Sequence, residues 1–471
     1  MRCEANGTQL PMKSKPEARM GAKIETARNA DDTWLEQWTP EDAVFWETRG
    51  KSLAWRTLAI TTANLTLAFI VWFVVSALVV RLPAAGFNLT TTQLFWLAAL
   101  PGLAGGTMRM VHTFLVPLYG TRHVVAFSTL SLLIPALGWF YAVQDPTTSY
   151  AVLLLLAFLA GLGGGNFSSF MPSTSLFFPK RLQGTALAVQ AGVGNFGVSV
   201  VQFVTPWIIG FAIAGSLLGE PQLSPRPGTA PSPIWLQNAA AIYVPFIVVF
   251  GLAAWWMLKS VPVRANFREQ LDIFKEKHGF YMTLLYIMTF GTFSGLAATF
   301  PLLIQKIYGG FPGAPDPLTY AFLGPLVGSI ARILAGPLSD RVGGARVTHW
   351  SGIGMLVCAI AITFFTAPTS VDEFPNFVAA MLGLFFFAGI GNASTFKQMP
   401  MIFPPRQAGG VIGWTGAMAA YGPFACGLML GYAFDWFGSF NPFFYWAALF
   451  YLVCIAINWW YYARTGAEKP C

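Results

Sequence analysis

The sequence predicts an all-α polytopic membrane protein whose twelve transmembrane helices fall into two six-helix halves. Three observations carry that expectation. Of 471 residues, 55% are hydrophobic, 15% aromatic and only 10% charged, with mean hydropathy +0.56, which is too little polar material to coat a soluble globule of this size. The second observation is a repeat: residues 161–206 read GLGGGNFSSFMPSTSLFFPKRLQGTALAVQAGVGNFGVSVVQFVTP, and the pattern returns over 389–423 as GIGNASTFKQMPMIFPPRQAGGVIGWTGAMAAYGP. Asn166 is echoed by Asn392, Phe178-Pro179 by Phe403-Pro404, Gly184 by Gly409 and Gly192 by Gly416, so the chain holds two similar halves. The third is charge. With both termini cytoplasmic, 22 of the 28 Lys and Arg fall in the tails, in the inward loops or at their edges; Arg81, Arg226 and Lys306 face outward, and Arg109, Arg332 and Lys397 lie within spans. The net charge of +8 is thereby a topology signal and not a nucleic-acid patch.

Residues 1–55 read as a cytoplasmic N-terminal tail, polar and without hydrophobic period to about residue 33. From Thr39 the run TPEDAVFWETRGKSLAWR offers a capping Thr, a Pro in the first turn and two early acids, which predicts a short helix lying on the inner membrane surface. No cleavable signal peptide is expected, because the first long apolar run begins near Arg56. Twelve stretches can then cross about 30 Å of hydrocarbon at about 1.5 Å per residue. They are residues 56–80, 92–118, 123–144, 150–177, 185–214, 238–261, 279–304, 318–338, 347–367, 376–402, 410–434 and 441–463. The N-terminal half is 56–261, the charged segment 262–278 is a cytoplasmic loop between halves, the C-terminal half is 279–464, and 465–471 form a cytoplasmic tail.

Six plus six parallel halves are the arrangement of a major facilitator. The run GPLSDRVGGAR from Gly336 to Arg346 resembles that superfamily's GxxxDRxGxR loop between the second and third helices of a half, and its first-half counterpart near residues 117–122 lacks the Asp. Cysteines 3, 358, 426, 454 and 471 show no metal or disulfide spacing and read as packing residues. His112, His123, His278 and His349 are scattered. No cofactor, no metal and no enzymatic chemistry are expected.

Charges inside the membrane carry the function. Arg109 in span 2 and Arg332 in span 8 occupy corresponding helices, each four residues after a glycine, Gly105 and Gly328. Burying an Arg costs roughly 2.5–3.5 kcal/mol on insertion scales, so each either bonds to backbone carbonyls or serves a site. None of the twenty Asp and Glu lies mid-span. Two cations facing one cavity would repel by roughly 2 kcal/mol at about 8 Å with an effective dielectric near 20, which makes a bound anion the natural counter-ion. A guanidinium is a planar fork of permanent charge, suited to a small planar monovalent anion. Gly192, Gly194 and Gly197 in span 5, with Gly409, Gly410, Gly413, Gly416 and Gly422 in span 11, let helices approach and rock. Asn166 and Asn195 need partners, either another helix or the substrate.

From Trp38 to the last span the chain resembles the NarK-like nitrate/nitrite porter family. WTPEDAVFWETRGKSLAWR is similar to the family's leading segment, NFSSFMPSTSLFFPKRLQGTALAVQAGVGNFGVS to its first nitrate signature, and STFKQMPMIFPPRQAGGVIGW leads into its second. The resemblance implies nitrate held between Arg109 and Arg332, with aromatic rings above and below. By motif these rings fall on Phe69 in LTLAFIVW, Phe167 in GGNF, and Tyr286 with Phe290 in LLYIMTFG; Asn195 is the signature asparagine, and Gly194 and Gly416 join the substrate-binding set. Taken singly, each aromatic reads first as a core residue among 42 phenylalanines, and position beside the signatures favours the site. The chain departs from the family where an NGGLGN-like form is common, reading Gln190-Ala191-Gly192-Val193-Gly194-Asn195, with alanine in place of a glycine. His112, one turn beyond Arg109, is either a proton site or a tuning and packing histidine. Lys397 is either a snorkelling structural cation or a secondary anion ligand.

The expected function is alternating-access transport of nitrate and nitrite, as nitrate(in)/nitrite(out) antiport. A cavity lined by two unpaired arginines closes readily only around an anion, which favours obligatory exchange. Proton-coupled nitrate symport through His112 is the alternative, a small-anion channel a further one, and transport of another small anion stays open. The expected partners are nitrate, nitrite and the lipid bilayer, with no nucleic acid. The chain is expected to work as a monomer in the bacterial inner membrane.

Overall fold

The computed structural model describes residues 33–213, 218–226, 229–262 and 275–471. The tail before residue 33, with Cys3, and most of the loop expected at 262–278 lie outside the described residues.

Eleven helical runs among the described residues are long and apolar enough to cross a membrane. They are Ala43–Leu78, Thr91–Ala142, Tyr150–Ser175, Lys180–Ile208, Asn238–Met257, Lys277–Tyr308, Pro317–Val342, Gly344–Thr363, Val371–Ile402, Gly410–Phe437 and Asn441–Ala463. The second run holds two crossings, spans 2 and 3. It breaks at Gly120, whose φ of 78° is open to glycine and strained for other residues, and there the Ser260 side chain and the Trp34 ring also leave no room for a Cβ. Eleven runs therefore supply twelve spans.

The short surface helix expected from Thr39 takes another form. Its cap is Asp42, whose Oδ1 accepts the Val44 and Phe45 N–H groups at 2.8 and 3.0 Å, and the helix runs through a π turn, Trp46–Gly50, straight into span 1. No proline follows before Leu78, and the Phe45 and Trp46 rings pack on Gly50, so nothing stops the helix there. The chain before it is strapped to the link between spans 4 and 5. Trp38 Nε1 donates to the Leu176 carbonyl at 3.1 Å, and Glu41 Oε1 accepts the Lys180 N–H at the start of span 5 at 2.9 Å. A short antiparallel hairpin, Gln222–Arg226 with Thr229–Ile234, lies between spans 5 and 6. Its proline-rich sequence hides it from a reading by hydrophobic period.

Two diagonal contacts cross between the halves, span 2 with span 11 and span 5 with span 8. Small residues permit them: Gly427 lies on Ala99, Gly431 on Phe95, and Gly192 on Ile333. The halves are tied together as well at the end where spans 1 and 7 finish. Arg81 Nη2 meets Asp316 Oδ1 at 2.7 Å, Gln305 donates to the Val80 carbonyl at 2.8 Å, and Gln202 to the Ala297 carbonyl at 2.7 Å. At the start of span 7, Glu468 takes a bond from Lys277 at 2.8 Å and meets His278 Nε2 at 3.2 Å, and the lysine holds the Glu468 carboxyl below the usual range. Deeper in the same span, Ile287–Gly291 form a second π turn.

Candidate anion site

The site begins with two glycines. A Cβ at Gly105 would stand 2.9 Å from the Trp72 indole, and one at Gly328 would stand 2.7 Å from the Phe293 ring. Each glycine thus lets an aromatic from the facing helix lie against its span, one turn before the arginine that follows it. Trp72 is fixed there by its Nε1 donating to the Pro101 carbonyl at 2.8 Å. Tryptophan, glycine and arginine in the first half are matched by phenylalanine, glycine and arginine in the second.

Arg109 is fully buried. Its Nε donates to the Gly164 carbonyl at 2.9 Å and its Nη1 to the Gly416 carbonyl at 2.7 Å, so the guanidinium bridges span 4 of one half and span 11 of the other. The carbonyl-bonded arrangement therefore holds for this residue, and Nη2 is left without a partner among the described residues. Rings surround the head group: its Cζ is 4.7 Å from the Phe167 centroid, 5.1 Å from Phe290 and 5.4 Å from Trp72. Such cation–π contacts are each worth about 0.5–2 kcal/mol, more where water is excluded. Arg332 is buried too, with Nη1 unpartnered and the Phe396 ring 6.0 Å from its Cζ. Arg109 lies within electrostatic reach of both Tyr286 and Arg332.

The structure brings the expected rings together. Phe69 meets Phe167 edge-on at 6.3 Å, and Tyr286 stacks on Phe290 at 5.5 Å, across the π turn of span 7. Tyr286 keeps a buried hydroxyl without a partner. Asn195 is buried in span 5 with both amide atoms unpartnered. Gly416 serves through its carbonyl, whereas Gly194 packs on Leu65 of span 1 and the geometry places it against neither guanidinium. His112 Nδ1 is 2.8 Å from Ser169 Oγ, whose hydroxyl also reaches the Asn166 carbonyl at 3.2 Å. Lys397 pairs with Asp340 at the inner end, with both side chains about half exposed, away from the arginines.

Two rings escaped the sequence reading. Trp72 stands three residues after Phe69 in the same LTLAFIVW run, and Phe396 follows Asn392 by the four-residue step that separates Phe170 from Asn166. The step was visible in the repeat, but only packing shows that Phe396 turns its ring to Arg332 and, at 5.9 Å, to Tyr286.

The fold and the buried cationic site define a membrane carrier, and a model of the Major Facilitator Superfamily matches residues 60–396; the chain belongs to that superfamily. It is a multi-pass membrane transporter. Within the superfamily it belongs to the NarK-like nitrate/nitrite porters, being 66% identical over 445 residues to the probable nitrate/nitrite antiporter NarK2 of Thermus thermophilus, covering 94% of this chain and 100% of that one. It is also 37% identical over 457 residues to the nitrate/nitrite transporter NarU of Escherichia coli K12, covering 91% of this chain and 96% of that one. Among solved structures, an inward-facing, unoccupied bacterial homolog of the human lysosomal transporter Spinster matches with a TM-score of 0.62 at 14% identity, over 87% of this chain and 96% of that one, a likeness of fold.

Proposed function

We propose that the chain exchanges nitrate for nitrite across the bacterial inner membrane, both termini cytoplasmic, by alternating access of one central site. The observation that carries this reading is a pair of buried guanidiniums, each with an unpartnered N–H, in a core where no Asp or Glu lies mid-span. A small planar oxyanion is the counter-ion that this pair accepts bidentately. The relatives' names, nitrate/nitrite antiporter and nitrate/nitrite transporter, support the same anions.

The mechanism rests on charge. With the site empty, bringing the halves together concentrates two like charges in low dielectric; with an anion bound, closure neutralises one of them. The loaded carrier therefore reorients and the empty one is held back, which makes turnover an exchange. Phe69, Phe167, Tyr286 and Phe290 hold the anion's plane and exclude water. The ties at Arg81–Asp316, Gln305 and Gln202 close the outer face and release when the site opens outward. One chain contains the whole site, in keeping with a functional monomer.

A second reading, proton-coupled uptake, rests on buried His112 one turn beyond Arg109. Nitrate uptake into liposomes carrying the purified protein separates the two, with nitrite, nitrate or no anion trapped inside and with or without a pH gradient. Exchange requires an internal anion and ignores the gradient. Accumulation in anion-free vesicles driven by external acid sinks it and moves the mechanism to His112.

A further inference from the structure

We infer that Asn392 is an anion-contacting residue that distinguishes nitrate from nitrite, an assignment that rests on the transport reading above. Asn392 is 1% exposed, and neither its amide nitrogen nor its amide oxygen has a partner. A buried primary amide with every bond unmade costs about 1–3 kcal/mol per group, so such a residue is kept for something it meets. Its neighbours on span 10 show where it points. Gly389, three residues earlier, lies against the Gly328 backbone of span 8, and Gly391 lies against Thr289 of span 7, to which Thr395 also bonds at 3.2 Å. At about 100° per residue, Asn392 falls in the wedge between spans 7 and 8. It shares a face with Phe396, whose ring is turned to Arg332 and Tyr286.

The register agrees. Spans 8 and 10 run in the same direction, and Gly389 touches Gly328, so the residue three further along span 10 sits at the level of the residue four further along span 8, which is Arg332. The Asn392 amide, Arg332 Nη1 and the Tyr286 hydroxyl are thus three buried polar groups without partners among the described residues, on three helices that meet around Phe396. Nitrate presents three equivalent oxygens in a plane. An arginine fork takes two, and an amide N–H beside it takes the third. Nitrite has two oxygens and a nitrogen lone pair, so the same N–H gains less from it. The amide is therefore the group that favours nitrate.

The test is anion exchange by the full chain in liposomes, with nitrate and nitrite each titrated as the external anion. Asn392→Leu keeps volume and removes both bonds; it should raise half-saturating nitrate roughly tenfold, the worth of one lost donor to an ion, and nitrite by less than about threefold. Its unfolding temperature should hold or rise. Asn392→Asp should abolish binding of both anions by placing a carboxylate beside Arg332. Asn392→Ser guards against a leucine that fails to fold, and must likewise weaken nitrate more than nitrite. An unchanged nitrate-to-nitrite ratio in these variants makes Asn392 a packing residue and overturns the assignment alone. Wild-type protein that exchanges neither anion overturns the transport reading, and this one with it.

Discussion

Arg109 and Arg332 follow the same glycine step on corresponding helices, yet they are held differently. Arg109 spends two N–H groups on carbonyls of both halves and is walled by Phe167, Phe290 and Trp72. Arg332 faces Phe396 and has no comparable carbonyl bonds among the described residues. One cation is thus part of the scaffold as well as the proposed site, whereas the other is free to follow an anion in that proposed site. Pseudo-symmetric halves need not divide labour evenly: a fixed charge sets where the anion sits, and a freer one can close on it.

The largest expected effects break this comparison outright. Arg109→Lys and Arg332→Lys should each lower anion exchange by roughly a hundredfold or more, because an ammonium cannot bond a planar oxyanion as a fork. They should part in stability. Arg109→Lys gives up at least one of the two charged bonds that join spans 4 and 11, at a cost of about 2 kcal/mol, and should lower the unfolding temperature in detergent, whereas Arg332→Lys should leave it near wild type. Equal thermal losses in both variants would remove the asymmetry.

Next comes Tyr286→Phe. Its hydroxyl has no protein partner, so the change should leave thermal stability unharmed while raising half-saturating nitrate roughly tenfold. Loss of stability without loss of affinity would make the tyrosine a core residue. Smaller again is Arg81→Ala, which unties a partly buried ion pair worth about 1 kcal/mol. Labelling of Ala298→Cys by an impermeant maleimide from outside, in a background cleared of native cysteines, should quicken by about fivefold. The smallest effect is expected for Lys397→Ala. Paired with Asp340 at the inner end, Lys397 should change half-saturating nitrate by less than about twofold, and a rise near tenfold would restore it as an anion ligand.

Much of this was legible in the chain because hydrophobic length, repeat and charge placement are one-dimensional signals. Twelve crossings, Arg109 and Arg332 could be placed that way, whereas the rings at Phe69, Phe167, Tyr286 and Phe290 were implied by the resemblance to the NarK-like motifs. Direction required the fold. The bonds from Arg109 to Gly164 and Gly416 join backbone atoms far apart in sequence, and backbone carbonyls carry no residue signature. Trp72 and Phe396 were two aromatics among many until packing turned them toward the guanidiniums. Lys397 looked intramembrane by position, but its side chain reaches Asp340 instead of the centre. The surface helix expected from Thr39 starts instead at Asp42, three residues on, which makes the capping bonds, and it joins span 1 because no stop signal follows it.

The π turn at Ile287–Gly291 gives the proposed site an arithmetic dependence. A π turn amounts to one residue inserted into an α-helix. Deleting a single residue between Ile287 and Gly291 would restore an unbroken helix whose two flanks keep nearly their present orientation, because the π turn is what absorbs the extra residue. Tyr286 and Phe290 would then stand three residues apart instead of four and lose their stacking, while Phe293 could still rest on Gly328. A family comparison that counts insertions along span 7 would therefore report on substrate as directly as one that counts substitutions.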